Sequence, residues 1–529
     1  MKKYNIVLGL LLSGTIISSC SSSFLELYPE TAQSSGTFYR TADQFDQAMN
    51  AAYTGLRYIA SDGLFMDEMR SDNAFYTYYY GDRGPFNAYE KPCLFIDDEV
   101  SANAGPILER WQVDYQNIAK TNTVLDRIEA SEMTNVEKSS YRAEALFLRA
   151  FYYFDLVKCF GGVPLTLNEV TGTDGVFTAR ASVEECYTQI LADLNEAISI
   201  GLPIPARFPD ENGGRATMGA ARMLRAEVNM TKSSPDYATA ESDLKAITQM
   251  NYELLNDYAE CFNPTNKNNR ESILEVQYTE DGASEQYSTI AFRMIPKCSN
   301  VVDMMGIAGS NYAGGGTVTG TSGGWVVPTK HMVDSYEDGD LRLFASIVVA
   351  EGTSSGDSFT FEQIVDDVRN YVCPAGKDFR YMVKKYYHPP YKYTMRGVEN
   401  FPVYRYSGAL LLLAECLVQE GKSAEALPYI NKVRARAGLA NLTTCTLEDV
   451  SNEQKHELAF ENHRWSDLKR QGLAKSVMTN YGQWMKANFA WVAALNNGTC
   501  FNIENFRMIY AIPTRELEIN PQLTQNPGY

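Results

Sequence analysis

The sequence predicts a mostly α-helical protein in which helix pairs stack into a right-handed scaffold and carry a loop-rich, irregular insertion with short strands. Three observations predict it. Capped amphipathic segments recur in pairs on both sides of the chain's middle. One of them is apolar around most of its circumference, as a helix sandwiched between neighbours must be. Between about residues 255 and 405, helical periodicity gives way to Gly, Ser, Asn and aromatics.

The first element is residues 1–19. Lys2 and Lys3 precede an apolar run from Ile6 to Ile17, which small residues close. A bilayer core of about 30 Å needs roughly 20 apolar residues, so this run reads as an export signal rather than a span. Ile17-Ser18-Ser19-Cys20 resembles a bacterial lipobox, whose Cys is acylated and becomes the new N-terminus. Lipidation at Cys20 would anchor the chain without spanning the membrane; the alternative is an ordinary signal that contains a Cys. Residues 20–35, polar and carrying Pro29, read as a tether, and residues 36–529 as one body.

Within the body, helix pairs are expected over about 40–250 and 405–475. Thr134 with Glu137, and Ser182 with Glu185, form capping boxes before segments reaching Lys158 and Ile198. In the first, Ala145, Leu148, Tyr152 and Leu156 share one face, while Phe147, Phe151 and Phe154 widen it. Tyr141–Phe160 pairs with Val183–Ile200, Thr217–Met230 with Tyr237–Met250, and Ser407–Glu420 with Ala424–Ala437 across Gly421. Ala414 to Arg434, with Gly421, Ala426 and Tyr429, resembles a tetratricopeptide repeat. In the insertion, Ile273–Tyr278 and Ile347–Val349 read as strands, and Thr353 to Asp357 as a turn. A second irregular stretch runs from Ser61 to Ser101.

Composition narrows the function. A net charge of −18 argues against nucleic acid and against docking on anionic lipid through basic patches. Nine Cys remain besides Cys20, an odd number without a C-x-x-C pair, which suits buried small side chains better than a disulfide framework. The four His show no metal-ligand spacing, so no metal site and no cofactor are expected. The 34 Tyr provide apolar faces with a hydroxyl, suited to sugars and peptides alike.

At this point the residues match a known family. Ala143-Glu144-Ala145-Leu146-Phe147-Leu148-Arg149-Ala150-Phe151-Tyr152-Tyr153-Phe154, then Phe160-Gly161-Gly162-Val163-Pro164-Leu165, resembles the hallmark of SusD/RagB-like outer-membrane lipoproteins of Bacteroidetes. Gly214-Arg215-Ala216-Thr217, Tyr404-Arg405-Tyr406, Arg434-Ala435-Arg436-Ala437-Gly438, and Glu457-Leu458 with Arg464-Trp465 follow in family order, as does the closing Gln525-Asn526-Pro527-Gly528-Tyr529. The resemblance implies a non-enzymatic nutrient-binding lipoprotein at the outer membrane, facing the cell exterior. It further implies a SusC-like TonB-dependent transporter as partner and an oligosaccharide as ligand. A peptide ligand, as in the RagB branch, and a lid without strong affinity of its own are the alternatives. Lipoproteins exported to the surface in these bacteria often carry acids directly after the Cys, whereas Ser21-Ser22-Ser23 stand here before Glu26.

The family places ligand contacts in the two irregular stretches. In the first, Arg70, Asp72, Asn73, Tyr76, Tyr78 and Tyr79 combine groups that hydrogen-bond vicinal hydroxyls with rings that stack on pyranose faces. In the second, Gly323-Gly324-Trp325 resembles the position where members place a sugar-stacking Trp, and Tyr287 and Tyr312 extend a platform. Partial burial in a loop core is the competing reading for each tyrosine. Trp465, Trp484 and Trp491, on helical stretches, read as packing. No phosphate loop, G-x-S-x-G or spaced carboxylate pair announces catalysis. Arg149, Arg464, Asp467 and Arg470 read as structural ion pairs.

Overall fold

The computed structural model describes residues 38–529, apart from 77–85, 173–176, 207, 210–212, 280–285, 308–323, 357 and 394–395. Ten longer helices carry the described chain: α1 (Ala42–Tyr53), α2 (Gly105–Arg127), α3 (Asn135–Phe160), α4 (Val183–Ile200), α5 (Met218–Thr231), α6 (Tyr237–Thr248), α7 (Tyr406–Gln419), α8 (Ser423–Arg436), α9 (Leu447–Glu457) and α10 (Ala474–Asn488). From α2 to α8 each packs on the next in chain order, and α6 meets α7 although the whole insertion lies between them.

Local chemistry explains the element ends. Both capping boxes form: the Thr134 amide donates to Glu137 at 2.8 Å and the Glu137 amide to Thr134 at 3.3 Å, with Ser182 and Glu185 repeating the pattern before α4. Gly161, at φ 74°, terminates α3. Every residue of α3 from Ala143 to Val157 is buried, because α2 covers one side and α4 the other.

Burial on all sides traps charges, and several are answered across a helix joint. Arg110 of α2 grips Asp155 of α3 through two bonds of 2.6 Å, and Arg149 of α3 grips Asp193 of α4 through two of 2.7 Å. Arg225 of α5 holds Asp243 of α6 likewise, and Arg470 holds Glu415 of α7. Such bidentate pairs fix the register between neighbouring helices.

The insertion opens and closes at one neck. Strand β2 (Ser272–Val276) pairs antiparallel with β7 (Phe401–Arg405), Ser272 opposite Arg405 and Val276 opposite Phe401. Beyond it lies a three-stranded antiparallel sheet of β4 (Ile347–Ser355), β5 (Ser358–Val365) and β6 (Asp378–Val383), in the order β5-β4-β6. Along β4, Ile347 and Val349 enter the main core, while Val348 and Ala350 enter a separate small core with Phe292, Met304, Phe359 and Met382. The sheet therefore divides two apolar clusters.

One expectation narrows. The stretch from Thr353 reads as a turn, but β4 continues to Ser355, which sits opposite Ser358 in a tight hairpin. Gly352 belongs to the strand because a Cβ there would lie 2.0 Å from the Thr360 carbonyl oxygen. Gly352 thus serves a close strand approach, and the chain reverses only after Ser355, at the end of the expected turn.

The C-terminus docks into the body: the Tyr529 hydroxyl donates to Asp97 and to the Ile509 carbonyl, both at 2.9 Å. Eight of the nine described Cys are buried, and only Cys373 is partly exposed. Among the described residues no helix is long and apolar enough to cross a membrane.

Candidate ligand-binding cleft

The two irregular stretches meet in space. Strand β1 (Ala74–Phe75) pairs antiparallel with β3 (Val327–Pro328), Phe75 opposite Val327. Tyr76 follows the first strand and Trp325 precedes the second, and their rings meet edge-on at 5.5 Å. Gly324, at φ 71°, turns the chain into this position, and the Trp325 amide donates to the Arg293 carbonyl at 3.1 Å. Phe65 and Tyr89 complete the surroundings of the half-buried Trp325 ring, at 5.8 and 5.3 Å. Polar groups border this shelf: Arg293 pairs with Asp62 at 2.8 Å, and burial together with the Asp62 charge pushes the Glu109 carboxyl up.

On the other side of Tyr76 a cleft of about 550 Å³ opens. Phe75, Val327 and Pro328 belong to its floor. Strand β6 contributes Phe379, Arg380 and Tyr381 to its lining, and the end of α10 and the residues after it contribute Trp484, Asn488, Phe489 and Trp491, together with Thr329 and Lys330. Within β6, the edge strand of its sheet, the Phe379 and Tyr381 side chains lie on the main-core face, whereas that of Arg380 lies across the other face toward the Phe359 ring. The second aromatic group is built where α10 ends. Gly482 lets α10 lie against Phe501, since a Cβ there would sit 2.3 Å from that side chain. Trp484 then stacks parallel to Tyr481 at 6.2 Å, and Phe489 closes edge-on over Trp484 at 6.0 Å. Trp491 leans on Phe75 at 5.9 Å.

The structure redistributes the expected contacts. Arg70 is fully buried: it pairs with Asp97 at 3.0 Å, donates to the Arg507 carbonyl at 2.7 Å, and lies 4.4 Å from both the Phe95 and Tyr510 rings. Asp72 is buried between Lys455 and Arg464, each at 2.8 Å. Burial opposes its charge, yet the Arg464 guanidinium and Lys455 ammonium hold the carboxyl well below the usual range. Asn73 donates to buried Glu68 at 2.8 Å. These three residues link the irregular stretch to the body and do not reach the cleft, which corrects the sequence reading. Their partners lie far along the chain, where no spacing pattern reveals them.

Tyr76 lines the cleft, although it is buried against Trp325 and exposes only 6% of its surface. Tyr287 is half-buried elsewhere, with the Arg396 guanidinium 4.7 Å from its ring. Tyr78, Tyr79, Tyr312 and Cys20 lie outside the described residues. Conversely, the cleft's Phe379, Tyr381, Trp484 and Trp491 went unselected. The two tryptophans pack on the core, as their helical setting suggests, yet both remain half-buried at the cleft wall. Their signal was the run of Trp484, Phe489 and Trp491 around a helix end, more apolar surface than one terminus needs for packing. Trp465 is 1% exposed, a core residue as read.

Comparison with known proteins agrees with this architecture. Residues 270–529 match the model described as the SusD family, and residues 23–221 match one described as starch-binding associating with outer membrane. SusD-like protein P25 of Formosa agariphila is 25% identical across the whole of both chains. The starch-binding protein SusD of Bacteroides thetaiotaomicron is 24% identical over 97% of this chain and 96% of its own. Among solved structures, a laminarin binding SusD-like protein superposes with a TM-score of 0.72 at 23% identity, covering 93% of this chain and all of that one. Surface glycan-binding protein A of Bacteroides thetaiotaomicron, in complex with laminarihexaose, gives 0.69 at 21% identity over 92% and 99%. With one match to the SusD family over residues 270–529 and a second, to a SusD-like model, over residues 23–221, the chain belongs to the SusD family.

Proposed function

We propose that this protein is a non-catalytic glycan-binding lipoprotein, which captures an oligosaccharide in the cleft and passes it to a SusC-like TonB-dependent transporter. In this reading residues 1–19 direct export, Cys20 carries the lipid, and the body stands outside the outer membrane on its tether. The observation that carries it is the ring-lined cleft beside Tyr76, to which β6 and the end of α10 both contribute aromatic residues. Rings at this spacing offer stacking surfaces for successive pyranose C–H faces, with the Asn488 amide and Thr329 hydroxyl near enough to take sugar hydroxyls. Relatives named for starch, laminarin and laminarihexaose support the choice of ligand class. No carboxylate stands among the described lining residues, whereas glycoside hydrolysis needs two. Titration calorimetry on wild type, Trp491→Ala and Tyr381→Ala against a glycan panel tests the reading. Loss of affinity in both variants with unchanged folding supports it, and unchanged affinity in both defeats it.

A peptide ligand is the second reading, favoured by the edge of β6. That strand pairs only with β4 among the described residues, so an extended peptide has an edge to join within the cleft. Peptide titration with the same variants separates the two, since main-chain pairing is less sensitive to loss of a ring than stacking is.

A further inference from the structure

We propose that residues 24–29 of this chain, which precede the described residues, lie in the groove beside Trp111, so that the tether is fastened to the body along part of its length. This groove, of about 670 Å³, is lined by Gln112, Gln116 and Ala119 of α2 and by residues of the short helix Thr514–Ile519. Phe177 and Ile519 also line it, 46% and 52% exposed, two of the few large apolar side chains that the described surface leaves open. Neighbouring bonds hold them together: the Asn520 amide donates to the Thr178 carbonyl at 2.9 Å, and the Gln522 amide to the Phe177 carbonyl at 3.1 Å. Two exposed apolar side chains fixed in one groove mark a surface for a further segment to cover.

The chain enters the described residues at the end of the same helix stripe. Helical spacing carries that stripe from Gln112 through Gln116, Ala119 and Thr123 to Arg127, all partly or fully exposed. The Tyr39 ring lies 5.7 Å from the Arg127 guanidinium. Residues 164–169 accompany α2 over this distance: Tyr115 donates to the Pro164 carbonyl at 2.9 Å, Asn122 to the Thr166 carbonyl at 2.7 Å, and Arg127 to the Glu169 carboxylate at 2.8 Å. Pro164 and Thr166 line the groove, and the Glu169 charge acts on Tyr39. From Arg127 back to Gln112 is about 22 Å of helix, at roughly 1.5 Å per residue. Residues 30–37, extended, span about 26 Å, enough to bring residue 29 to the groove.

The occupant suits the site. Phe24, Leu25, Leu27, Tyr28 and Pro29 form an apolar island between Ser21-Ser22-Ser23 and the mostly polar residues 30–36. A free tether would leave these side chains in water, at a cost of about 25 cal/mol per Å² of apolar surface that docking removes. The family match over the first part of the chain begins at residue 23, so the island aligns with the domain rather than with the leader. With Cys20 acylated, as in the lipoprotein reading, residues 21–23 alone would separate the anchor from the docked segment, and the groove would face the membrane.

The test uses the full-length exported protein in detergent. With p-benzoylphenylalanine in place of Tyr28, irradiation should join this segment to peptides within residues 111–119 or 515–523 of the same chain. A broad-specificity protease should cut within residues 24–29 roughly tenfold or more slowly in wild type than in Phe177→Asp with Ile519→Asp. Both side chains are exposed, so this double variant should unfold at the wild-type temperature. Leu25→Ser with Leu27→Ser, which leaves the described body unaltered, should speed cleavage to the same degree. Cross-links to other surfaces of the body, or equal cleavage in wild type and both double variants, overturn the proposal. Cross-links only between chains, read by mixing isotope-labelled with unlabelled protein, also overturn it and give the groove to a second copy. No readout requires lipid on Cys20 or a bound glycan, so failure here leaves the proposed function standing.

Discussion

The Tyr76 and Trp325 rings meet edge-on, 5.5 Å apart at 64°, and so tie the first irregular stretch to the insertion. The β1–β3 pair beside them makes the same junction through the backbone. One side of this junction is the Trp325 shelf with Asp62 and Arg293, and the other is the cleft. The family's expected stacking position and the aromatic cleft are thus neighbours sharing Tyr76, supported by a helical body whose α6 and α7 meet although the insertion lies between them in the chain.

Two tryptophans should separate binding from folding. Trp465→Ala removes a ring that is 1% exposed and should destabilise by about 3–5 kcal/mol. Trp491→Ala removes a half-buried ring and should cost about 1 kcal/mol while abolishing measurable glycan affinity. Urea midpoints beside calorimetric titrations check both halves.

Arg70→Ala should act on stability alone. It leaves Asp97 buried without the guanidinium that spans Phe95 and Tyr510, a loss of about 3–5 kcal/mol. The protein that does fold should bind glycan with wild-type affinity. A specific loss of affinity in folded Arg70→Ala would return this residue to the binding site.

Glu68 predicts a pH dependence. Burial pushes its carboxyl up to about 7, despite hydrogen bonds from Asn73 and from the Phe460 and Asn462 amides. A carboxyl raised in the folded state binds its proton more tightly there than when unfolded. Its contribution is therefore full below about pH 4.5 and is lost as pH rises through about 7, about 3 kcal/mol in all. Urea unfolding of wild type and Glu68→Gln at about pH 5 and about pH 8 should show the variant gaining relative to wild type at the higher value.

The C-terminal Tyr529 should matter although it does not line the cleft. Its hydroxyl reaches Asp97, which also holds Arg70, so deleting Gly528 and Tyr529 should lower stability by about 1–3 kcal/mol. Thermal unfolding of the truncated chain measures this directly.

What the sequence made legible follows from how far apart the interacting residues lie. The capping boxes at Thr134 and Ser182 close within one turn, and the fully buried α3 declares itself by its apolar circumference. The motifs of α3, α8 and the C-terminus carried the family. Arg70, Asp72 and Asn73 misled, because polar residues beside a tyrosine run look like a binding loop. Their partners, Asp97, Arg464, Lys455 and Glu68, decide otherwise, and the Asp72 partners arrive only with α9 and the helix Arg464–Arg470. Trp484 and Trp491 were hidden for the converse reason: a helix-end aromatic that packs with one edge and lines a cleft with the other carries no distinct pattern. Strand β6 lines the cleft as an edge strand, a placement that only the β5-β4-β6 order fixes.

The most direct test is a crystal structure with a bound oligosaccharide. The account predicts pyranose rings within about 4 Å of Tyr381 and Trp491. An oligosaccharide seated instead in the groove between Trp111 and Arg515, with the cleft empty, would contradict it.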